Sequence, residues 1–157
     1  MAISSLRIES VEGDRASDPA PTGRATAVAL RDAPASPAAV PALRHFARDA
    51  ARRWDLPDET VDRLALVVTE LVTNTLLHSG SPDVVVAIEY HGTALTVEVR
   101  DSGTWRDHRS RRRGAEDVAT GGRGLELVRQ CSTWWRAVLS PLGTRVMACL
   151  PVGPPPG

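Results

Sequence analysis

The sequence predicts an α+β domain, a two-layer sandwich in which helices cover one face of a mixed sheet. Five short segments have the apolar patterns of strands, and longer segments have apolar residues at helical spacing. Along the chain the order is strand, helix, helix, strand, strand, long loop, helix, strand, strand. Strands mixed unevenly with helices favour this fold class over alternating βαβ units.

The first strand is predicted at residues 24–32, and an amphipathic helix follows at residues 36–54. Ser36 suits the N-cap of this helix, and Pro37 suits its first helical position. The apolar residues that recur near helical spacing and would face the core are Val40, Leu43, Ala47, Ala50 and Trp54.

A second helix is predicted from Asp58, its expected cap, to about His78, after a break at Leu56–Pro57. Gly80 and Pro82 would end it. The residues expected on its core side are Val61, Leu64, Ala65, Val68, Leu71 and Val72.

Residues 83–90 and 93–101 predict a hairpin, with a turn at His91–Gly92. In its second strand, apolar and polar residues alternate, so one face is buried and one is wet. Residues 104–120 form a polar, Arg-rich loop, and a loop of this length inside a domain is often functional.

The last predicted elements are a helix at residues 121–131, which glycines open, and two strands at residues 133–140 and 143–151. The sequence therefore predicts one domain at residues 24–150. Residues 1–23 lack a sustained period and predict a disordered extension, and the Pro-rich residues 151–157 predict a flexible tail.

Composition excludes several kinds of function. The 157 residues include 19 basic and 19 acidic ones, so no bulk charge indicates nucleic acid or a membrane as a partner. Every basic residue is Arg, which excludes chemistry that needs a lysine, such as a Walker phosphate loop. Without a secretory signal or a long apolar run, we expect a cytoplasmic protein with buried thiols.

Three groups of residues could carry chemistry. Glu70, Asn74 and His78 recur at four-residue steps, so they share one stripe of a mostly apolar helix. Asp101-Ser102-Gly103 ends a strand, and residues 121–125 (GGRGL) begin a helix. Separately, these groups are typical of a solvated helix face, a turn and a flexible loop.

Together, the three groups favour a nucleotide site. Backbone N–H groups at a helix start attract phosphate, and glycines let the backbone approach it. A carboxylate at a strand end can accept a hydrogen bond from an adenine amino group. An amide oxygen can ligate Mg²⁺, and a carboxylate one helical turn away can deprotonate a nucleophile.

The ordered motifs ELVTN with His78, DSG, GGRGL and Gly143–Thr144 resemble those of the gyrase, heat-shock chaperone, histidine-kinase and mismatch-repair ATPase superfamily. This resemblance implies the Bergerat fold, also called the histidine-kinase-like ATPase fold. Within the superfamily, the small size and the GRGL-x-L-V segment most resemble anti-sigma regulatory factors with serine/threonine kinase activity. The resemblance covers about residues 24–150.

The resemblance implies ATP and Mg²⁺ as ligands and assigns a role to each matching residue. Glu70 would be the general base, Asn74 would ligate Mg²⁺, and Asp101 would hold the adenine amino group. Gly103 would lie beside the base and Thr144 near the adenine, whereas His78 is expected to make a structural hydrogen bond. The residues that would hold phosphate at the helix start are Gly122, Arg123, Gly124 and Leu125.

The sequence departs from the family pattern at Trp105, which stands where a second glycine is usual. Trp105 could cover the base or close the loop. The arginines of residues 106–113 could clamp phosphate or simply be solvated, since guanidinium groups suit both.

The resemblance implies a protein kinase that binds a sigma factor and phosphorylates an anti-anti-sigma (STAS-type) protein. Three alternatives stay open: an ATP-dependent partner-switching module without transfer, a detached histidine-kinase catalytic domain, and a scaffold that binds no nucleotide. The expected partners include neither nucleic acid nor a membrane, and a homodimer is compatible with the sequence.

Overall fold

The computed structural model describes residues 10–12, 24–103 and 118–153, which form a sheet with helices packed on one face. The strands are β1 (Ser10–Glu12), β2 (Ala27–Pro34), β3 (Asp83–Tyr90), β4 (Ala94–Asp101), β5 (Trp134–Ser140) and β6 (Gly143–Pro151). The helices are α1 (Ala39–Arg53), α2 (Asp58–His78) and α3 (Val118–Cys131).

The described strands form one sheet in the order β1-β5-β6-β4-β3-β2. The predicted two-layer α+β fold is confirmed, but the sheet is not mixed, because every described pairing is antiparallel. The antiparallel pairing of β2 with β3 results from the two helices that connect them. One crossover helix would return the chain to the same end of the sheet, whereas two successive helices bring β3 back in the opposite direction.

Helix α2 lies at the centre of the helical layer, between α1 and α3, and covers β3, β4 and β6. Its Leu64, Val68 and Leu71 are at most 1% exposed and belong to one core cluster with strand residues. The strand residues facing the helices are fully buried or nearly so, and include Val84, Val86, Ile88, Leu95, Val97, Val99, Val146, Ala148 and Leu150.

The opposite face of the sheet is partly polar, as the alternation in β4 predicts. Glu98 lies between Arg100 and Arg145 on this face, and its carboxylate accepts two hydrogen bonds from Arg145 at 3.1 and 3.0 Å. These hydrogen bonds raise the pKa of Arg145. The sheet therefore buries one face in the apolar core and presents the other to solvent.

The predicted N-caps of the first two helices are wrong. α1 begins at Ala39 with Ala38 as its N-cap, and the carbonyl of Ser36, rather than its hydroxyl, accepts a hydrogen bond from the Ala39 N–H at 2.9 Å. α2 begins at Asp58 itself, because Pro57 has the extended backbone of a capping position. Asp58 then lies in the first turn, where a carboxylate interacts favourably with the helix dipole.

Two other boundaries differ from the sequence prediction. β2 lies at Ala27–Pro34, a shift of the predicted strand towards the C-terminus, and it pairs with the whole of β3. α3 begins at Val118, ahead of its glycines. Packing of Leu125 and Val128 against the core outweighs the low helix propensity of glycine.

The described structure extends beyond the predicted domain at both ends. β1 lies within the predicted disordered extension and pairs with β5, while the rest of residues 1–23 lies outside the described residues. At the other end, residues 151–153 are held on α2, and residues 154–157 lie outside the described part.

Arg63 and Thr60 of α2 hold the end of β6. The Arg63 guanidinium donates to the carbonyls of Pro151 and Gly153 at 2.9 and 3.2 Å, and Thr60 Oγ1 accepts the Gly153 N–H at 3.2 Å. Arg63 is 8% exposed, so its hydrogen bonds are shielded from water. Burial raises the pKa of the nearby Cys131 thiol, although the charge of Arg63 acts in the opposite sense.

No helix among the described residues is long and apolar enough to cross a membrane.

Replacing Arg63 with alanine should destabilise the fold by about 2 kcal/mol, because two part-buried carbonyls lose a charged donor. The matched control is Arg48→Ala, which removes an Arg48–Asp62 ion pair of similar length, 2.9 Å, in which Asp62 is 68% exposed. That control should cost less than about 1 kcal/mol. Urea denaturation measures both changes, and equal losses would contradict the anchoring role of Arg63.

Candidate functional site

The predicted stripe on α2 faces α3. Glu70 is half-buried and Asn74 is 9% exposed. A Cβ atom added to Gly124 would lie 2.5 Å from Glu70 Oε2 and 3.9 Å from Asn74 Oδ1. The structure therefore brings Glu70, Asn74 and Gly124 together, and it does so at a point where a side chain on α3 would displace the Glu70 carboxylate.

His78 is the last residue of α2 and is half-buried. Because it follows Asn74 by four residues, it continues the same stripe towards the end of the helix. Gly80 adopts a φ of 63°, which is the left-handed conformation that commonly ends a helix, so the predicted helix end is confirmed. The structural role of His78 stays a prediction.

Asp101-Ser102-Gly103 lies directly against the end of α2. Gly103 is buried, and a Cβ atom on it would overlap the backbone carbonyl of Ser79. The Gly103 N–H donates to Asp101 Oδ1 at 3.0 Å, which orients the carboxylate. A glycine is thus required here for close backbone approach, and the place of Gly103 beside the base stays a prediction.

Thr144 lies beside Asp101, because the two residues are direct partners in the β4–β6 ladder. Thr144 is 1% exposed, and its Oγ1 atom is buried without a hydrogen-bond partner. Buried hydroxyls are nearly always paired, so this unpaired one is compatible with the predicted position of Thr144 near an adenine, which stays a prediction. Gly143 makes the approach of β6 possible, since a Cβ atom on it would overlap the Asp101 carbonyl.

A cluster of serines supports this strand end, and sequence reasoning missed it. Ser81 Oγ accepts the Ser102 N–H at 3.1 Å, donates to the Asp83 carbonyl at 2.6 Å and lies 3.2 Å from Ser102 Oγ. Ser79 Oγ accepts the Ser81 N–H at 3.1 Å. The available signal was the segment SGSPD, whose two serines flank the helix-ending Gly80 and precede a strand.

The described residues fit a purine nucleotide with Mg²⁺. Asp101 and the unpaired Thr144 hydroxyl offer polar groups for a base at the ends of β4 and β6. Asn74 offers an amide oxygen suited to Mg²⁺, and Gly124 lets α3 approach it beside the Glu70 carboxylate. The predicted metal ligand Asn74 lies on the second half of α2, and the predicted base contact Gly103 lies against the end of that helix.

The predicted phosphate-binding segment lies inside a helix, whereas the sequence predicted it at the start of one. Gly122 and Arg123 lie inside α3 rather than at its start, because the helix begins at Val118. The unpaired N–H groups of a helix are those of its first four residues, which here precede Gly122. Leu125 packs against the core, and its role at the site stays a prediction.

Trp105 and the arginines of residues 106–113 lie outside the described residues, so the predictions made for this loop stay predictions.

The fold and site define a nucleotide-binding ATPase domain of the two-layer type. The chain belongs to the histidine kinase-like ATPase domain family, which matches residues 33–150. A comparison with curated proteins finds no match.

Among solved structures, the chain is similar to the RsbU and RsbW domains of Rv1364c from Mycobacterium tuberculosis, with a TM-score of 0.65 and 18% sequence identity. The match covers 83% of this chain but 34% of the other, so this chain spans about a third of that protein's length. At this identity the likeness supports the fold.

Replacing Thr144 with valine should leave the free energy of unfolding unchanged or slightly higher, because an unpaired buried hydroxyl is replaced by a methyl group. The same change should weaken ATP binding by about fivefold, the effect of one lost hydrogen bond. Calorimetric titration with ATP and Mg²⁺, together with urea denaturation, measures both quantities.

Thr60→Val is the matched control, because Thr60 is equally buried but its hydroxyl accepts the Gly153 N–H. It should show the opposite pattern, a loss of about 1 kcal/mol in stability with unchanged ATP affinity. Unchanged ATP affinity in Thr144→Val would separate Thr144 from the nucleotide site.

Proposed function

We propose that the protein is an ATP-binding serine/threonine protein kinase of the anti-sigma-factor type. In this proposal it binds a sigma factor and phosphorylates an anti-anti-sigma protein of the STAS type. Membership of the histidine kinase-like ATPase family supports nucleotide binding. The motif resemblance and the similarity to a structure with an RsbW domain support the more specific assignment.

The close approach of Glu70, Asn74 and Gly124 is the observation that carries this proposal. A general base and a metal ligand must lie close together for phosphoryl transfer, since catalysis depends on positioning and charge stabilisation. Here the carboxylate and the amide lie one helical turn apart, and Gly124 lets α3 approach both of them.

Each residue would then have a distinct task. Asp101 and Thr144 would hold the adenine, with Gly103 beside it, and Asn74 would hold Mg²⁺ together with phosphate oxygens. Bound Mg²⁺ would neutralise negative charge on the phosphates. Gly124 and its neighbours in α3, namely Gly122, Arg123 and Leu125, would lie along the phosphates.

In the transfer step, the hydroxyl oxygen of a partner Ser or Thr bonds to the γ-phosphorus of ATP. The bond between that phosphorus and the β–γ bridging oxygen breaks, and ADP departs with the electron pair. Glu70 accepts the hydroxyl proton, which makes the attacking oxygen more nucleophilic.

A partner-switching module that binds ATP without transfer is the second candidate. Trp105 favours it, because it replaces a glycine of the family pattern in the loop that would border the nucleotide. Such a module would use ATP only to order that loop and so change partners.

Incubation with ATP labelled at the γ-phosphate, Mg²⁺ and a candidate STAS-type partner distinguishes the two candidates. Label on a Ser or Thr of the partner supports the kinase. ATP binding without label transfer supports the module, and no ATP binding would contradict both. The cytoplasmic location and the homodimer stay predictions.

Glu70→Ala should retain ATP binding and reduce the rate of label transfer by about 100-fold or more, the contribution of a general base. The control is Asp62→Ala, which removes an exposed acid from the same helix, away from Gly124. Full transfer by Glu70→Ala would remove Glu70 from the mechanism.

Gly124→Ala should reduce label transfer because its methyl group must displace the Glu70 carboxylate. The fold should survive, since alanine is better than glycine inside a helix by about 1 kcal/mol. A double-mutant cycle with Glu70→Ala checks the cause. If Gly124→Ala lowers transfer equally with and without Glu70, the effect does not act through this carboxylate.

A further inference from the structure

The Ser81 hydroxyl replaces a step of the β3–β4 ladder. Val84 is paired with Asp101, so the next antiparallel pair along the ladder would be Asp83 with Ser102. In place of direct hydrogen bonds between these two residues, Ser81 Oγ accepts the N–H groups of Ser102 and Asp83 at 3.1 and 3.3 Å. It also donates to the Asp83 carbonyl at 2.6 Å.

This hydroxyl is held in place from several directions. Ser81 is 8% exposed, and its own N–H donates to Ser79 Oγ, which is 4% exposed. Ser102 Oγ lies 3.2 Å from Ser81 Oγ on the other side. The loop after α2 is thereby joined to the end of β4 by part-buried hydrogen bonds.

The orientation of the Asp101 carboxylate depends on the segment that Ser81 holds. Asp101 Oδ1 accepts the N–H of Gly103, so the carboxylate direction follows the backbone of residues 102–103. Ser81 fixes the N–H of Ser102, the residue between them. On the other side of β4, Thr144 is paired with Asp101 and fixes the strand itself.

We infer that Ser81 is a positioning residue for adenine recognition: its hydroxyl fixes the turn that aims the Asp101 carboxylate at the adenine amino group. The inference rests on the proposed function, in which Asp101 binds that group. It predicts that Ser81 controls selectivity for the 6-amino group rather than nucleotide affinity in general. A hydroxyl that merely stabilised the loop would affect all nucleotides equally.

The test compares ATP with purine riboside triphosphate, in which hydrogen replaces the 6-amino group. Calorimetric titration with Mg²⁺ gives a Kd for each nucleotide, and their ratio is the selectivity. The full chain should prefer ATP by about tenfold or more, since a hydrogen bond to a charged group contributes at least that much. Asp101→Asn is the reference variant, and it should abolish most of this preference.

Ser81→Ala should lower the selectivity at least about threefold, mainly by weakening ATP binding, because the Ser102 N–H loses its acceptor. Ser81→Thr keeps the hydroxyl and should restore most of the preference. Ser132→Ala is the matched control: Ser132 is 9% exposed and its hydroxyl donates to the Val128 carbonyl, away from β4. The Ser132→Ala variant should have the same selectivity for ATP as the unaltered chain.

Circular dichroism and thermal unfolding establish whether each variant is folded. If Ser81→Ala does not fold, Ser81→Cys decides, because sulfur is a weaker acceptor of similar size and should give a reduced selectivity. Unchanged selectivity in the folded variant, or equal weakening of both nucleotides, overturns the role of Ser81. Failure of the unaltered chain to bind either nucleotide overturns the proposed function instead.

Discussion

The approach of α3 to α2 at Gly124 is the constraint on which the site depends. Helix α2 has two functional faces. Its Leu64, Val68 and Leu71 face the core, while its Glu70 and Asn74 face α3. Helical periodicity places these two sets on different faces of the helix, so the polar residues do not interrupt the apolar face. Only a residue without a side chain lets α3 come close enough to meet the carboxylate.

The antiparallel register supplies the other half of the site. Val84, Asp101 and Thr144 occupy one row across β3, β4 and β6, so three distant segments of the chain meet at a single edge. Glycines at 103 and 143 remove the side chains that would hold neighbouring backbones apart. The predicted base-binding residues Asp101 and Thr144 therefore meet because of strand register, although 43 positions separate them in the sequence.

Periodicity predicted most elements correctly because apolar spacing reflects which face is buried, and burial dominates the energetics of folding. The caps at Ser36 and Asp58 were wrong because side-chain capping is a small term that local backbone conformation overrides. The sheet was expected to be mixed but is antiparallel in its described pairings. Periodicity does not reveal strand direction, because tertiary topology determines which strands pair. Ser81 was missed because a serine near a proline is typical of any turn, and its partner Ser102 is distant in sequence.

The anchoring of residues 151–153 by Arg63 provides a site at which a label can be attached to the protein. Any sequence following Gly153 leaves from a fixed point beside the first half of α2. Arg63 precedes Asn74 by eleven positions, which corresponds to roughly 16 Å along a helix. A fluorescent label attached at Gly153 would lie beside α2 and apart from Asn74, and so suits single-molecule recording.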